Sequence, residues 1–141
     1  MSKSSQEVRT LIANFVNVLD DRNTSGLLTF YTNSSIVRWS GNSGFQDGTY
    51  EGANDGIKLL YHVFTSDVSS IHATVSNLTT NVIASETVNA TFGLYLREDG
   101  PITGPRNATV SVLQLWTNLG GTWYIQKEKW NYLTLTGTPI A

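Results

Sequence analysis

From Ile71 onward the hydrophobic period of this chain changes from the three-to-four spacing of helices to the strict two of strands. Ile71, Ala73 and Val75 alternate with His72, Thr74 and Ser76, and alternation returns over residues 87–97, 109–117 and 123–132. Side chains two apart share one face of a strand, so this half of the chain predicts four strands, each with one face against a core. Consecutive strands joined by short turns make an antiparallel meander. The stretch Asn118-Leu119-Gly120-Gly121 between the last two runs is a hairpin signal of good quality.

The first half supplies what the sheet must pack against. Over residues 6–20, Val8, Leu11, Ile12, Phe15 and Leu19 form one apolar stripe. Ser4 or Ser5, with Glu7 just beyond, is the expected cap. Thr24 is placed to cap a short helix through Phe30, which turns Leu27, Leu28 and Tyr31 inward, and residues 36–39 read as a short strand. Gly41, Gly44, Gly48, Gly52 and Gly56 make residues 40–56 a loop, a mobile lip in which Thr49, Tyr50 and Glu51 could pair briefly. Residues 57–64 form a helix with Ile57, Leu60, Tyr61 and Phe64 on one face and Asn54 or Asp55 as its cap. With no linker and no repeat, residues 1–141 read as a single domain with its core at about 6–133.

Composition removes several classes of function. The chain has 141 residues, enough to bury roughly two-thirds of its surface, and 4 Trp, 6 Tyr and 5 Phe to do it with. Cysteine is absent, which excludes disulfides, thiolate metal sites and Cys nucleophiles. Net charge is −2 and no run of Lys or Arg occurs, so neither nucleic acid nor an anionic membrane has an electrostatic footprint. No apolar run approaches the ~18 residues of a membrane span, and the polar start does not read as a signal peptide. Five Asn-x-Ser/Thr sequons, at Asn23, Asn33, Asn77, Asn89 and Asn107, slightly exceed the roughly 3 that composition alone would give. Compartment is therefore open. A cytoplasmic reading is preferred, with an exported domain lacking its leader as the alternative.

Three segments together resemble the nuclear transport factor 2-like superfamily, in particular its SnoaL-like branch. They are Phe30-Tyr31-Thr32-Asn33-Ser34-Ser35-Ile36-Val37-Arg38-Trp39, then Tyr50-Glu51-Gly52 leading into the third helix, and Gly120-Gly121-Thr122-Trp123-Tyr124-Ile125 opening the last strand. The resemblance implies an α+β fold, cystatin-like and cone-shaped: a strongly bent antiparallel sheet wrapped around about three N-terminal helices. It also implies a pocket for a small, mainly apolar molecule, no cofactor, and pairing into a homodimer through the sheet, with Tyr124, Trp130 or Tyr132 as an apolar patch if they face outward. Members include ketosteroid isomerase, scytalone dehydratase, limonene epoxide hydrolase and polyketide cyclases, while others only bind or assemble, so fold alone does not settle activity.

Carried over residue by residue, the specific enzymes lose their central groups. Trp39 stands where the isomerase has its Asp base, and Asn131 where the cyclases look for an Asp. Arg97, Glu98 and Asp99, the set closest to an epoxide-hydrolase trio, fall in a turn expected to face water. Two catalytic candidates remain. His72 could act as acid or base near pH 6.5, against the alternative of a surface imidazole. Glu128 is the acid of the last strand. It would face inward only if a bulge near residues 126–128 reconciles the alternation of Trp123 and Ile125 with Lys127 and Lys129; otherwise it is an exposed partner of cross-strand lysines. Phe15, Tyr31, Trp39, Tyr61, Trp116 and Trp130 are candidate pocket residues or simply core. Arg38 could anchor a ligand carboxylate or form a surface ion pair, and His62 falls off the apolar face of its helix. Two histidines without a third ligand predict no metal site. A non-catalytic interaction module, its cone filled by its own side chains, is the competing reading.

Overall fold

A computed structural model describes residues 2–41, 47–100 and 104–136, with Asp67 described in its backbone only. In chain order the elements are helix α1 (Lys3–Asp20), helix α2 (Thr24–Leu28), strand β1 (Tyr31–Ser40), strand β2 (Gly48–Glu51), a wide helical turn at Gly52–Gly56, helix α3 (Ile57–Asp67), and strands β3 (Ser70–Ala84), β4 (Thr87–Asp99), β5 (Arg106–Leu119) and β6 (Thr122–Thr136). All six strands join one open mixed sheet in the order β2-β1-β6-β5-β4-β3. Every pairing is antiparallel except β1 with β6, which is parallel. The parallel pair departs from an all-antiparallel sheet because the chain crosses through α3 and the meander before its last strand returns to the first.

The helical segments end where local hydrogen bonding ends them. Ser2, rather than Ser4 or Ser5, caps α1 by accepting from the Ser5 N–H. Asn23, one residue before Thr24, caps α2 through the Gly26 N–H. Neither Asn54 nor Asp55 caps α3: both belong to the preceding turn, whose backbone breaks at Asp55 (φ −125°, ψ −107°). Thr49, Tyr50 and Glu51 do pair, as β2 against β1. Residues 42–46 of the glycine-rich loop, expected to be a lip, lie outside the described residues.

The sheet bends because β6 carries two extra residues. Lys127 lies opposite Leu115 while Ile125 lies opposite Trp116, which leaves Gln126 unpaired. Farther on, Leu133 is unpaired between Tyr132 opposite Val110 and Thr134 opposite Thr109. A bulge shifts the side-chain phase by one and increases local twist. After Gln126 the buried series therefore passes from Trp123 and Ile125 to Glu128, Trp130 and Tyr132, and both lysines stay exposed. A third bulge on β3 sits at Asn77, whose φ of +53° suits the Asn side chain. At the far end Gly120 and Gly121, with φ of +62° and +96°, make the two-residue hairpin turn that only glycines enter freely.

The concave face is closed by α1 and α3. Val8, Ile12, Phe15 and Leu19 of α1 and Ile57, Leu60, Tyr61 and Phe64 of α3 are buried against inward residues of all the long strands. Polar tethers fix the helices in place. The Trp123 indole N–H donates to Glu7 at 2.7 Å, joining α1 to β6. Arg22 donates to the Val68 carbonyl at 2.7 Å beyond the end of α3. Asp20 accepts from the Ala73 N–H at 2.7 Å, satisfying a backbone donor on the free edge of β3. No helix among the described residues is long and apolar enough to cross a membrane.

Candidate functional site

Glu128 sits on the concave side, only 3% exposed, because the Gln126 bulge turned it inward. Its carboxylate meets neutral donors alone. Tyr31 donates to Oε1 at 2.7 Å and Tyr61 to the same oxygen at 3.1 Å, while the two phenol oxygens stand 2.7 Å apart. Gln114 donates from Nε2 to Oε2 at 2.6 Å, and its own Oε1 accepts the Trp116 indole N–H at 2.9 Å. That last bond fixes which way the amide points: with Oε1 committed to an N–H donor, the NH2 end must face the carboxylate. The cage is therefore built for an acceptor-only group at position 128.

Two opposed effects set the protonation of this carboxyl. Burial away from water raises its pKa, and the hydrogen bonds from Tyr31, Gln114 and Tyr61 hold it down, with burial the stronger. The Trp130 N–H adds a weaker pull from outside hydrogen-bonding geometry; its nitrogen is buried without a partner. Tyr31 and Tyr61 are pushed well above the usual phenol value, first by burial and then by the Glu128 charge, so both remain donors.

Next to this cage lies an aromatic stack. Trp39 and Trp130 pack face to face, ring centroids 4.7 Å apart at 13°, and Trp39 also meets Phe64, Tyr61 and Tyr132. Trp116 packs edge-on against Phe30, which in turn meets Phe15. All six expected pocket residues, Phe15, Tyr31, Trp39, Tyr61, Trp116 and Trp130, are thus brought to the concave side, where they touch one another or a shared neighbour. A hollow of about 320 Å³ between Leu28, Tyr31, Ala53 and Tyr124 reaches one residue of this set, Tyr31.

His72 is not part of this assembly. It is exposed on β3, three strands away from β6 in the sheet order, and its Nδ1 stands 3.7 Å from Asp20. His62 is exposed on α3, and Arg38 lies exposed on the outer face of β1, donating to Thr49 at 3.4 Å. Among the described residues no three His, Asp or Glu gather as a metal site would need. Of the three residues expected to give the outer face an apolar patch, Trp130 and Tyr132 face inward and Tyr124 is half-buried.

Glu98 corrects the expectation of a water-facing turn. It lies at the end of β4 in phase with Leu94 and Leu96, is buried, and accepts from Arg106 Nε at 2.8 Å. Burial raises its pKa despite the opposing pull of Arg106. Arg106 and Gln114 were not singled out in the sequence, although both stand in the inward phase of β5 with Ala108, Val110, Val112 and Trp116. A polar residue in the buried phase of a strand is the signal that marks them.

No family model and no curated protein matches the sequence. Solved structures do match its fold. A provisionally named scytalone dehydratase from Novosphingobium aromaticivorans DSM 12444 superposes with a TM-score of 0.82 at 10% identity, over 98% of this chain and 93% of the other. Hexachlorocyclohexane dehydrochlorinase LinA-type3 from Novosphingobium barchaimii LL02 gives 0.75 at 15% identity, over 95% and 89%. A nuclear transport factor 2-like protein of unknown function from Pseudomonas putida KT2440 gives 0.74 at 16% identity, over 93% and 88%. At these identities the likeness is one of fold, and the fold is the nuclear transport factor 2-like, cystatin-like one that the three sequence segments resemble.

Proposed function

We propose that this domain binds a small, mainly apolar molecule on the concave side of its sheet and moves a proton with Glu128. The observation that carries the reading is a buried carboxylate held by two phenols and an amide, with no ion pair to a cation among the described residues. A buried charge without a counter-charge is expensive to keep, and groups placed in that way concentrate where proton transfer is needed. A carboxyl raised by burial is a better base at neutral pH than an ordinary one, and the raised phenols are positioned to return or relay the proton. A hollow of about 320 Å³ borders Tyr31, one of the phenols that hold the carboxylate, and is of a size that small-molecule sites have. The names of two structural neighbours, a dehydratase and a dehydrochlorinase, denote loss of water and of HCl, and each such loss takes a proton from the substrate; that supports the reading at the level of reaction class.

The test uses flat apolar compounds with an acidic C–H, scored by thermal unfolding and by hydrogen exchange into deuterated solvent. A compound at about 100 times its dissociation constant should add roughly 2.7 kcal/mol and raise the melting point by several degrees. Exchange should be lost in the exchanged pair Glu128→Gln with Gln114→Glu, which retains the hydrogen bonds but takes the carboxylate away from the phenols. Exchange that persists in that variant removes Glu128 from the role.

One observation favours a second reading. Trp39, Trp116, Trp130, Tyr61, Phe15 and Phe64 are the large side chains that fill the concave face, each almost wholly buried. A chain that neither gains stability from any compound nor exchanges a proton would be the filled, non-catalytic interaction module.

A further inference from the structure

The outer face of the sheet holds a groove of about 430 Å³ where β1, β6 and β5 run side by side. Its apolar floor is Ile36, Leu113 and Leu115, and its cations are Arg38, Lys127 and Lys129. Glu128 borders the groove between the two lysines, while its carboxylate is spent on the concave side with Tyr31, Tyr61 and Gln114. The register places the groove residues in two cross-strand rows. Ile36 lies opposite Lys127, which lies opposite Leu115, and Arg38 lies opposite Lys129, which lies opposite Leu113.

Three of the chain's nine Lys and Arg residues therefore share one groove on a protein whose net charge is −2. Arg38 and Lys129 are direct neighbours across strands, an arrangement that like charges disfavour. Among the described residues none of the three cations forms an ion pair. The acid nearest in register on β2 is Glu51, opposite Ile36. Leu113 is also 41% exposed, unusual for a leucine in mid-strand.

We propose that this groove is a binding site for a small amphipathic anion. The hydrocarbon body lies on Ile36, Leu113 and Leu115, and the carboxylate or sulfonate meets Lys127, Lys129 and Arg38. A simple inorganic anion would leave the apolar floor wet, and a neutral apolar molecule would leave three crowded cations unneutralised. A second copy docked groove to groove would set three cations against three. The volume falls in the range of small-molecule sites. The site is independent of the Glu128 reading, because adjacent residues of a strand point to opposite faces and the two ligands would sit on opposite sides of the sheet.

The experiment is a fluorescence titration of the native protein with 8-anilinonaphthalene-1-sulfonate at pH 7 and low salt, followed by displacement with dodecanoate. The expected result is saturable binding of one dye per chain, displaced by dodecanoate but not by dodecanol at the same concentration. The dissociation constant should rise at least tenfold in Lys127→Glu with Lys129→Glu, two exposed positions whose change leaves the melting point near that of the parent. Dye binding unaltered in the double variant, or equal displacement by dodecanol, would overturn the proposal. So would a dimer in sedimentation that persists in dodecanoate and dissociates on Leu113→Lys, since the face would then belong to a second copy.

Discussion

At the scale of single residues, the Glu128 cage makes a claim about donors and acceptors that a mutant cycle can read. Replacing Glu128 by Gln keeps shape but sets an NH2 either against the NH2 of Gln114, which cannot turn over without facing the Trp116 N–H, or against the two phenol O–H groups, one of which then loses its acceptor. One of these buried donors must go without an acceptor, a loss of about 1–3 kcal/mol. Gln114→Glu alone sets two carboxylates against each other and should destabilise by more than that. Exchanging both restores the pattern. The carboxylate, now on β5, accepts from the Trp116 N–H and from the NH2 of the amide, now on β6, whose oxygen accepts from Tyr31 and Tyr61. The expected outcome in urea denaturation is that the double variant recovers most of what either single change loses, a coupling of at least ~1 kcal/mol. Simple additivity would show that the hydrogen bonds at this site do not depend on one another.

At the scale of elements, the bulge at Gln126 decides what the last strand buries. Deleting Gln126 removes the extra residue, so alternation would run unbroken, with Trp123, Ile125, Glu128 and Trp130 inward, Lys127 and Lys129 outward, and the pairing with β5 retained. What the deletion takes away is the local twist that the bulge adds to β6. The variant is expected to keep a cooperative thermal transition and a fixed aromatic circular dichroism signal, with a lowered melting point. Loss of the cooperative transition would mean that the concave face cannot close without the bend at this point. The bulge was legible in the sequence as one of two readings, because an apolar phase that runs into two lysines calls either for a phase shift or for an exposed Glu128. Its consequence was not, since the same residues fit an exposed Glu128 beside lysines until the parallel pairing with β1 is known. That pairing places Tyr31 beside Ile125 and brings its hydroxyl to Glu128, 97 positions along the chain. The strands, the hairpin glycines and the core faces of α1 and α3 follow local periodicity, and these the sequence showed. The caps of α1 and α2 were missed by one to three residues because Ser, Thr and Asn crowd those boundaries, and α3 has no side-chain cap to find.

At the scale of the whole molecule, two buried carboxyls give the domain an unusual response to pH. Burial lifts both Glu128 and Glu98 above the ordinary value of 4.5. The native state consequently binds protons that the unfolded chain has released, and stability falls with rising pH wherever that difference exists. Their contribution is fully present below the unfolded value and is lost as pH rises through the folded values, after which it levels off. This is opposite to the behaviour of carboxylates held down by salt bridges, which stabilise as pH rises. The urea midpoint should therefore fall as pH rises from the ordinary carboxyl value of 4.5 towards neutrality, at constant m-value, and Glu98→Gln should remove part of the slope. Carboxyl carbon shifts in NMR should show Glu128 titrating after the exposed acids. A midpoint that climbs steadily over the same interval would mean that the donor cage outweighs burial and holds Glu128 below the ordinary range. That outcome would leave Glu128 a weak base at neutral pH, so the pH profile of stability bears directly on whether this carboxyl can take a proton from a substrate.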